Sequence, residues 1–176
     1  KRTLLIIILS YCLLCVMLPL GAVCADVGNG EAEGAGNAAT RDLSIGATRV
    51  LYEAQQQIDR KEYEKAGRIL EKFIEKHPKQ DHGFIEFTLA NALYFMGDKE
   101  QSLARYQTAA KLNPAFGPAW VNLGQVAYDL KRYGLAAEAL AEGFARTEDE
   151  EKNPDLLYYA AVAYILDGRQ EQAAPI

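Results

Sequence analysis

The feature that most constrains this chain is a repeat of small residues at a spacing near 34. Shifts of 36, 34 and 37 residues bring four of them into one column: Ala54, Ala90, Gly124 and Ala161. The same shifts align a second column: Ala66, Ser102, Ala136 and Ala173. Self-similarity at such a period is typical of arrays in which each unit buries its apolar face only against its neighbours. The sequence therefore predicts a solenoid of stacked units.

Each unit contains two amphipathic helical patterns separated by a short turn. The small columns let the paired helices approach closely, and large residues fill the space around them: Trp120, Leu123, Leu130 and Leu140. Gly97 and Gly168 lie where a first helix should end, and glycine is the usual residue for a left-handed helix cap. Pro78 and Pro114 should end second helices, because proline cannot continue a helix. The predicted unit is a helical hairpin.

The stretch AWVNLGQVAYDLKRYGLAAEAL, from Ala119 to Leu140, resembles the tetratricopeptide repeat (TPR) consensus. Its matching positions, with the consensus tyrosine displaced by one residue, are Trp120, Leu123, Gly124, Tyr128, Leu130, Tyr133, Ala136 and Leu140. The preceding unit matches through Leu89, Ala90, Gly97, Ser102, Tyr106, Ala109 and Pro114. The resemblance implies an all-α fold, a right-handed superhelix of helical hairpins with three full repeats and a truncated fourth.

The repeat array covers residues 43–176. Its repeats lie at about 47–80, 83–116, 117–150 and 154–176. Residues 26–42 hold mainly Gly, Ala, Asn and Glu, and they cannot bury enough apolar surface to offset their ordering entropy. We therefore expect a flexible linker there. The fourth repeat stops at Ile176, a few residues into its second helix, which indicates a fragment of a longer protein.

Residues 1–25 have the pattern of a secretory signal peptide. Two basic residues open the chain, residues 3–25 carry no charge, and Pro19 and Gly21 break the apolar run before small residues. We therefore expect an exported, periplasmic protein whose leader is removed. An uncleaved membrane anchor facing the periplasm is the alternative, since about 20 apolar residues span a bilayer. A lipid-modified Cys24 is a third interpretation.

Composition disfavours several classes of function. All three cysteines lie in the leader, so the mature chain forms no disulfide and no thiolate metal site. Removal of the leader removes Lys1 and Arg2, which leaves 17 of the 19 basic residues and all 24 acidic ones. The resulting net charge of −7 disfavours binding to nucleic acid and to anionic membrane surfaces. His77 and His82 flank a turn without further ligands. We expect no metal, no cofactor and no enzymatic activity.

The resemblance implies that the first helix of each repeat lines a concave groove. Helical spacing then assigns ten side chains to this peptide-binding groove: Phe84, Phe87, Asn91, Tyr94, Val121, Asn122, Gln125, Tyr128, Tyr158 and Val162. Aromatic rings give contact area at small entropy cost, and the amides can hydrogen-bond a peptide backbone. Tyr94 and Tyr128 have a second interpretation, in which they pack one repeat on the next.

TPR modules that capture acidic C-terminal tails use a clamp of Lys, Arg and Asn. The basic members are absent at the matching positions: Leu51, Gln55, Thr88, Pro118 and Asn122. The sequence therefore predicts an exported scaffold for a protein or peptide partner, within an envelope assembly or secretion complex. Two alternatives stay open. The array is a structural spacer or self-association region of a larger envelope protein, or it is an accessory region of an enzyme whose catalytic domain lies beyond Ile176.

Overall fold

The computed structural model describes residues 43–78, 83–147 and 153–174, and the regular structure in these ranges is helical. The helices are α1 (Ile45–Asp59), α2 (Tyr63–Lys76), α3 (Gly83–Phe95), α4 (Lys99–Leu112), α5 (Gly117–Asp129), α6 (Tyr133–Arg146), α7 (Asp155–Leu166) and α8 (Gln170–Ala173). The predicted leader, the predicted linker and His82 lie outside the described residues. None of the described helices is both long and apolar enough to cross a membrane.

The helices pack as consecutive hairpins. Helix α1 pairs with α2, α3 with α4, α5 with α6 and α7 with α8. Each hairpin also contacts the next one along the chain, through α2 and α3, α4 and α5, and α6 and α7. Contacts between sequence neighbours are what a stack of repeats requires. This arrangement confirms the predicted all-α solenoid of helical hairpins.

The end of each first helix has the same backbone geometry. A left-handed residue follows the helix at four places: Lys61 (φ 61°), Gly97 (φ 87°), Lys131 (φ 59°) and Gly168 (φ 81°). The Gly97 N–H donates to the Tyr94 carbonyl at 3.0 Å, and the following Asp98 N–H donates to the Leu93 carbonyl at 3.0 Å. The four sites are 36, 34 and 37 residues apart, so the predicted glycine caps and the shifts between repeats are confirmed.

The first column of small residues lies where the two helices of a hairpin meet. A Cβ atom on Gly124 would lie 2.7 Å from Leu140 Cγ, so α5 and α6 approach at a distance that requires glycine. Ala54 and Ala90 are fully buried in the two preceding hairpins. Ala161 in the fourth hairpin is only half-buried, because its partner helix α8 is four residues long in the described range.

Two predicted core residues are only half-buried, Trp120 and Leu130. The Trp120 Nε1–H donates to the Pro114 carbonyl at 3.0 Å, and the Arg146 guanidinium lies 5.0 Å from the centre of the Trp120 ring. The Arg146 Nε–H donates to the same carbonyl at 2.6 Å. Trp120 therefore connects the loop before α5 to the end of α6. The prediction that it lies in the core is wrong.

Candidate binding face

The ten side chains assigned to the groove lie on α3, α5 and α7, and we call this set the binding face. Four members are at most 8% exposed: Phe84, Phe87, Asn91 and Asn122. Five members are half-buried: Tyr94, Val121, Gln125, Tyr128 and Val162. Tyr158 is 65% exposed. The binding face is thus mostly buried on α3 and mostly accessible on α5 and α7.

The two phenylalanines of α3 pack against a ring that is not among the predicted site residues. Phe116, in the loop before α5, lies 4.7 Å from Phe84 and 5.0 Å from Phe87 between ring centres. Tyr106 of α4 lies 5.7 Å from Phe87. These contacts join the second hairpin to the loop that leads into the third. Contact of either phenylalanine with a partner stays a prediction.

Asn91 and Asn122 form a buried polar cluster with Tyr106. The Asn91 side-chain oxygen accepts a hydrogen bond from the Tyr106 hydroxyl and a second one, at 3.4 Å, from the Asn122 amide. The Asn122 amide nitrogen also lies 3.3 Å from the Tyr106 oxygen. Burial raises the pKa of Tyr106, so its hydroxyl stays protonated and donates. The cluster connects α3, α4 and α5, and a peptide bound at these amides would compete with these bonds.

Tyr94 connects α3 to α5 through a charged pair. Its hydroxyl donates to Asp129 at 3.4 Å, and Lys99 donates to the same carboxylate at 2.6 Å. The Lys99 ammonium also lies 5.7 Å from the centre of the Tyr94 ring. Burial, followed by the negative charge of Asp129, raises the pKa of Tyr94, and the hydrogen bond to Asp129 raises the pKa of Lys99. These contacts favour the interpretation in which Tyr94 packs one repeat on the next.

Three accessible side chains follow one another along α5. Val121 packs closely on Gly143 of α6, where an added Cβ would lie 2.6 Å from Val121 Cγ2. The Gln125 Nε2 atom is buried and has no hydrogen-bond acceptor among the described residues. Buried polar groups are nearly always hydrogen-bonded, so this amide nitrogen is an exception within the described residues. Tyr128 lies 5.5 Å from Tyr133 between ring centres, and burial raises the pKa of Tyr128.

Helix α7 extends the accessible part of the binding face. One side of α7 packs into the core through Leu156 and Ala160. Tyr158 and Val162 lie on another side, together with two exposed residues that are not among the ten predicted ones: Ile165 (52%) and Leu166 (49%). These two follow Tyr158 by seven and eight positions, which is the spacing of one helix face. The helical period of α7 could have identified them.

The described part of the chain contains no cluster of three or more His, Cys, Asp or Glu side chains that could hold a metal ion. His77 is exposed, and its ring centre lies 4.9 Å from that of Phe73. The expectation that the protein uses no metal and no cofactor stays a prediction.

Two family models match this sequence, and both describe a tetratricopeptide repeat. One model matches residues 87–151 and the other matches residues 50–79. Together they cover more than half of the chain. A search of curated proteins found no match.

Several solved structures have a similar fold. The crystal structure of MamA protein gives a TM-score of 0.59 at 20% identity, over 72% of this chain and 66% of that chain. The MamA RS-1 ArsTM double mutant gives 0.61 at 24% identity, over 74% and 71%. The Sgt2 TPR domain from Aspergillus fumigatus gives 0.58 at 20% identity, over 76% and 85%. This chain thus spans just under two thirds of the first MamA chain, and at these identities the similarity concerns the fold.

Proposed function

Because the chain belongs to the tetratricopeptide repeat family, we propose that it is an exported scaffold that binds a segment of another protein and catalyses no reaction itself. The bound segment lies on the accessible part of the binding face, along α5 and α7. The scaffold works in the periplasm, within an envelope assembly or secretion complex. A repeat array suits this role because each hairpin adds to one continuous surface.

The exposed apolar surface of α7 is the observation that carries this proposal. Tyr158, Ile165 and Leu166 are 65%, 52% and 49% exposed on a single helix. Soluble proteins rarely expose large contiguous apolar patches, and such patches mark sites of association. A partner that covers these side chains would remove apolar area from water, which is the main favourable term in protein association.

Helix α5 adds area and polarity to this surface. Val121 and Tyr128 are half-buried, so each presents part of an apolar side chain to a partner. The Gln125 Nε2 atom is itself buried, so a bound segment meets only the accessible part of this half-buried side chain. Helix α5 therefore contributes three half-buried side chains, two apolar and one polar, to the proposed surface.

An acidic peptide tail is a poor ligand for this face. The positions that would form a basic clamp hold no Lys or Arg: Leu51, Gln55, Thr88, Pro118 and Asn122. Three of them are also buried: Leu51, Thr88 and Asn122. The carboxylates of an acidic tail would therefore lose water without gaining cationic partners.

Selection of a random peptide library on the immobilised chain tests the proposed face. The recovered peptides should bind Tyr128→Ser/Tyr158→Ser at least about tenfold more weakly, because two aromatic contacts are removed. Tyr52→Ser is the matched control, since Tyr52 is 53% exposed on α1, and it should leave the affinity unchanged. Equal affinity of these peptides for the wild type and the double variant contradicts the proposed face.

Export is tested by fusing residues 1–42 to a reporter enzyme that is active only outside the bacterial cytoplasm. The fusion should be active, and a fusion that carries only residues 26–42 should be inactive. Release of the reporter as a soluble periplasmic protein supports cleavage of the leader, whereas retention in the membrane fraction supports the uncleaved anchor. An inactive reporter on residues 1–42 contradicts export.

A further inference from the structure

Basic residues are sparse in the second half of the array. Residues 43–116 contain 11 Lys and Arg and 10 Asp and Glu, whereas residues 117–176 contain 5 and 10. The second half, which includes α5 and α7, therefore has a net charge of −5, and the first half has a net charge of +1. Such an asymmetric field attracts cationic partners to the second half and repels anionic ones.

Two carboxylates, one at the start of α7 and one on α8, have no cationic partner among the residues that the structure describes. Glu138 and Asp167 both pair with Arg169, at 2.9 and 2.7 Å. Asp155 and Glu171 are exposed and form no ion pair with any residue in the described ranges. Asp155 begins α7, and Glu171 lies on the following helix, α8. Within the described ranges, a carboxylate without a cationic partner thus precedes the body of this helix and another follows it.

Four apolar side chains of α7, three exposed and one half-buried, form one stripe between these two acids. The α7 stripe consists of Tyr158, Val162, Ile165 and Leu166. Their spacing, i, i+4, i+7 and i+8, is that of a single helix face. Asp155 precedes Tyr158 by three residues and therefore lies near the same face. The stripe presents apolar surface with a carboxylate at its start and another beyond its end.

We propose that the α7 stripe binds an amphipathic segment of another protein that carries Lys or Arg beside its apolar residues. The inference rests on the proposed function and names the chemistry of its partner. Apolar side chains of the segment cover Tyr158, Ile165 and Leu166, while its cations lie near Asp155 and Glu171. Apolar contact supplies most of the affinity, and the charges set the orientation and disfavour other partners.

The same charges disfavour two other occupants. A bilayer that contains anionic lipids would meet the net negative surface of residues 117–176. A second copy that paired its α7 with this α7 would repeat the same patch across a symmetric contact. Whether the two copies of α7 paired parallel or antiparallel, the acidic ends of one helix would lie beside the acidic ends of the other. A cationic segment is complementary at both ends of the stripe.

Two synthetic peptides of about 14 residues, roughly four helical turns, test this inference. Both place Leu on one helix face. One carries Lys on the opposite face, and its counterpart carries Glu there. In fluorescence anisotropy at low salt, the Lys peptide should bind the wild-type chain at least about tenfold more tightly than the Glu peptide. The preference should shrink as salt is added, because screening weakens exposed charge interactions.

Three variants assign these effects to residues. Tyr158→Ser/Ile165→Ser should weaken binding of the Lys peptide at least about tenfold. Leu112→Ser is the matched control, since Leu112 is 50% exposed on α4, and it should leave binding unchanged. Asp155→Asn/Glu171→Gln should lower the preference for the Lys peptide over the Glu peptide about threefold or more. Circular dichroism verifies that each variant keeps its helical content.

The outcomes separate this inference from the proposed function. Equal affinity of both peptides, lost in Tyr158→Ser/Ile165→Ser, overturns the cationic preference and leaves the proposed function standing. Unchanged affinity of the Lys peptide for that variant overturns binding at the α7 stripe. If neither peptide binds but library-selected peptides bind through Tyr128 and Tyr158, the inference fails alone. If no peptide of either kind binds, the proposed function fails with it.

Discussion

Helices α3 and α7 resemble each other in composition and differ in their surroundings. Each is the first helix of its hairpin, and each carries apolar residues around most of its circumference. Every residue of α3 from Gly83 to Leu93 is buried, whereas α7 buries only Leu156, Ala160 and Ala163. A helix that is apolar all round normally lies in a core. The surface available to a partner therefore depends on the neighbours of a helix and not on its composition alone.

The repeat register supplies matched residue pairs that test this difference. A shift of 71 residues places Phe87 on Tyr158, Ala90 on Ala161 and Asn91 on Val162. In each pair the α3 residue is buried and the α7 residue is accessible. Substitutions should therefore change stability on α3, and they should change peptide binding on α7.

Phe87→Ala should have the largest effect, a loss of about 3–5 kcal/mol in the free energy of unfolding. It removes a ring that packs on Phe116 and Tyr106 and leaves a cavity. Tyr158→Ala should change this free energy by less than about 1 kcal/mol, because the ring is 65% exposed. Urea denaturation followed by circular dichroism measures both. Similar losses in the two variants would show that α7 is as enclosed as α3.

Ala90→Val should lower the free energy of unfolding by about 1–3 kcal/mol, because the added methyl groups do not fit the closely packed helix contact. Ala90 is 0% exposed. Ala161→Val should change it by about 0.5 kcal/mol or less, because Ala161 is half-buried. The same denaturation experiment compares them. A larger loss at Ala161 than at Ala90 would reverse the comparison.

Asn91→Ala should lower the free energy of unfolding by about 1–3 kcal/mol, because it leaves the buried Tyr106 hydroxyl without its acceptor. Val162→Ala should cost less than about 1 kcal/mol and should instead weaken binding of library-selected peptides. Denaturation and peptide affinity are measured on both variants. Weaker peptide binding by Asn91→Ala at unchanged stability would mean that this amide contacts the partner directly, as the sequence predicts.

Alkaline pH should destabilise the packing around α3. Burial raises the pKa of Tyr106 above its ordinary value of 10.0, so the unfolded chain releases this proton at lower pH than the folded chain. The stabilisation that comes from the protonated Tyr106 hydroxyl is fully present below about pH 10. It is lost as the pH rises through the pKa of the folded state, by about 1.4 kcal/mol per pH unit. Denaturation at about pH 9 and about pH 11 measures how steeply the free energy of unfolding falls with pH. An equal slope in Tyr106→Phe would show that other groups cause it.

The smallest expected effects belong to the caps, where α3 and α7 should behave alike. Gly97 and Gly168 have φ values of 87° and 81°, and a Cβ at either position would meet no atom within 4 Å. Gly97→Ala and Gly168→Ala should each cost about 1 kcal/mol, from backbone strain alone. Stability measurements that show a loss for Gly97→Ala and none for Gly168→Ala would indicate that α7 unfolds separately from the other helices.

The repeat spacing predicts the fold more completely than it predicts the binding face. Each hairpin repeats the same helix contacts and the same left-handed turn, so the shifts and the caps at Gly97 and Gly168 follow from spacing alone. Trp120 matches the consensus but stacks on Arg146 instead of lying in the core. A consensus position identifies where a side chain lies on the helix, and its burial depends on which neighbour reaches it.

Burial of the binding face depends on contacts that the helical period does not contain. Phe116 lies in a loop, so no periodic pattern places it against Phe84 and Phe87. The exposure of Ile165 and Leu166 depends on the neighbours of α7, which its own apolar sequence does not reveal. Sequence spacing therefore predicts a set of residues on one face, and tertiary packing divides this set into buried and accessible members.

Hydrogen–deuterium exchange in the presence of a library-selected peptide tests the central claim, that a partner binds along α5 and α7 and not along α3. Binding should slow amide exchange in Gly117–Asp129 and Asp155–Leu166, and it should leave the exchange of Gly83–Phe95 unchanged. Slower exchange confined to Gly83–Phe95, with α7 unaffected, would contradict the claim.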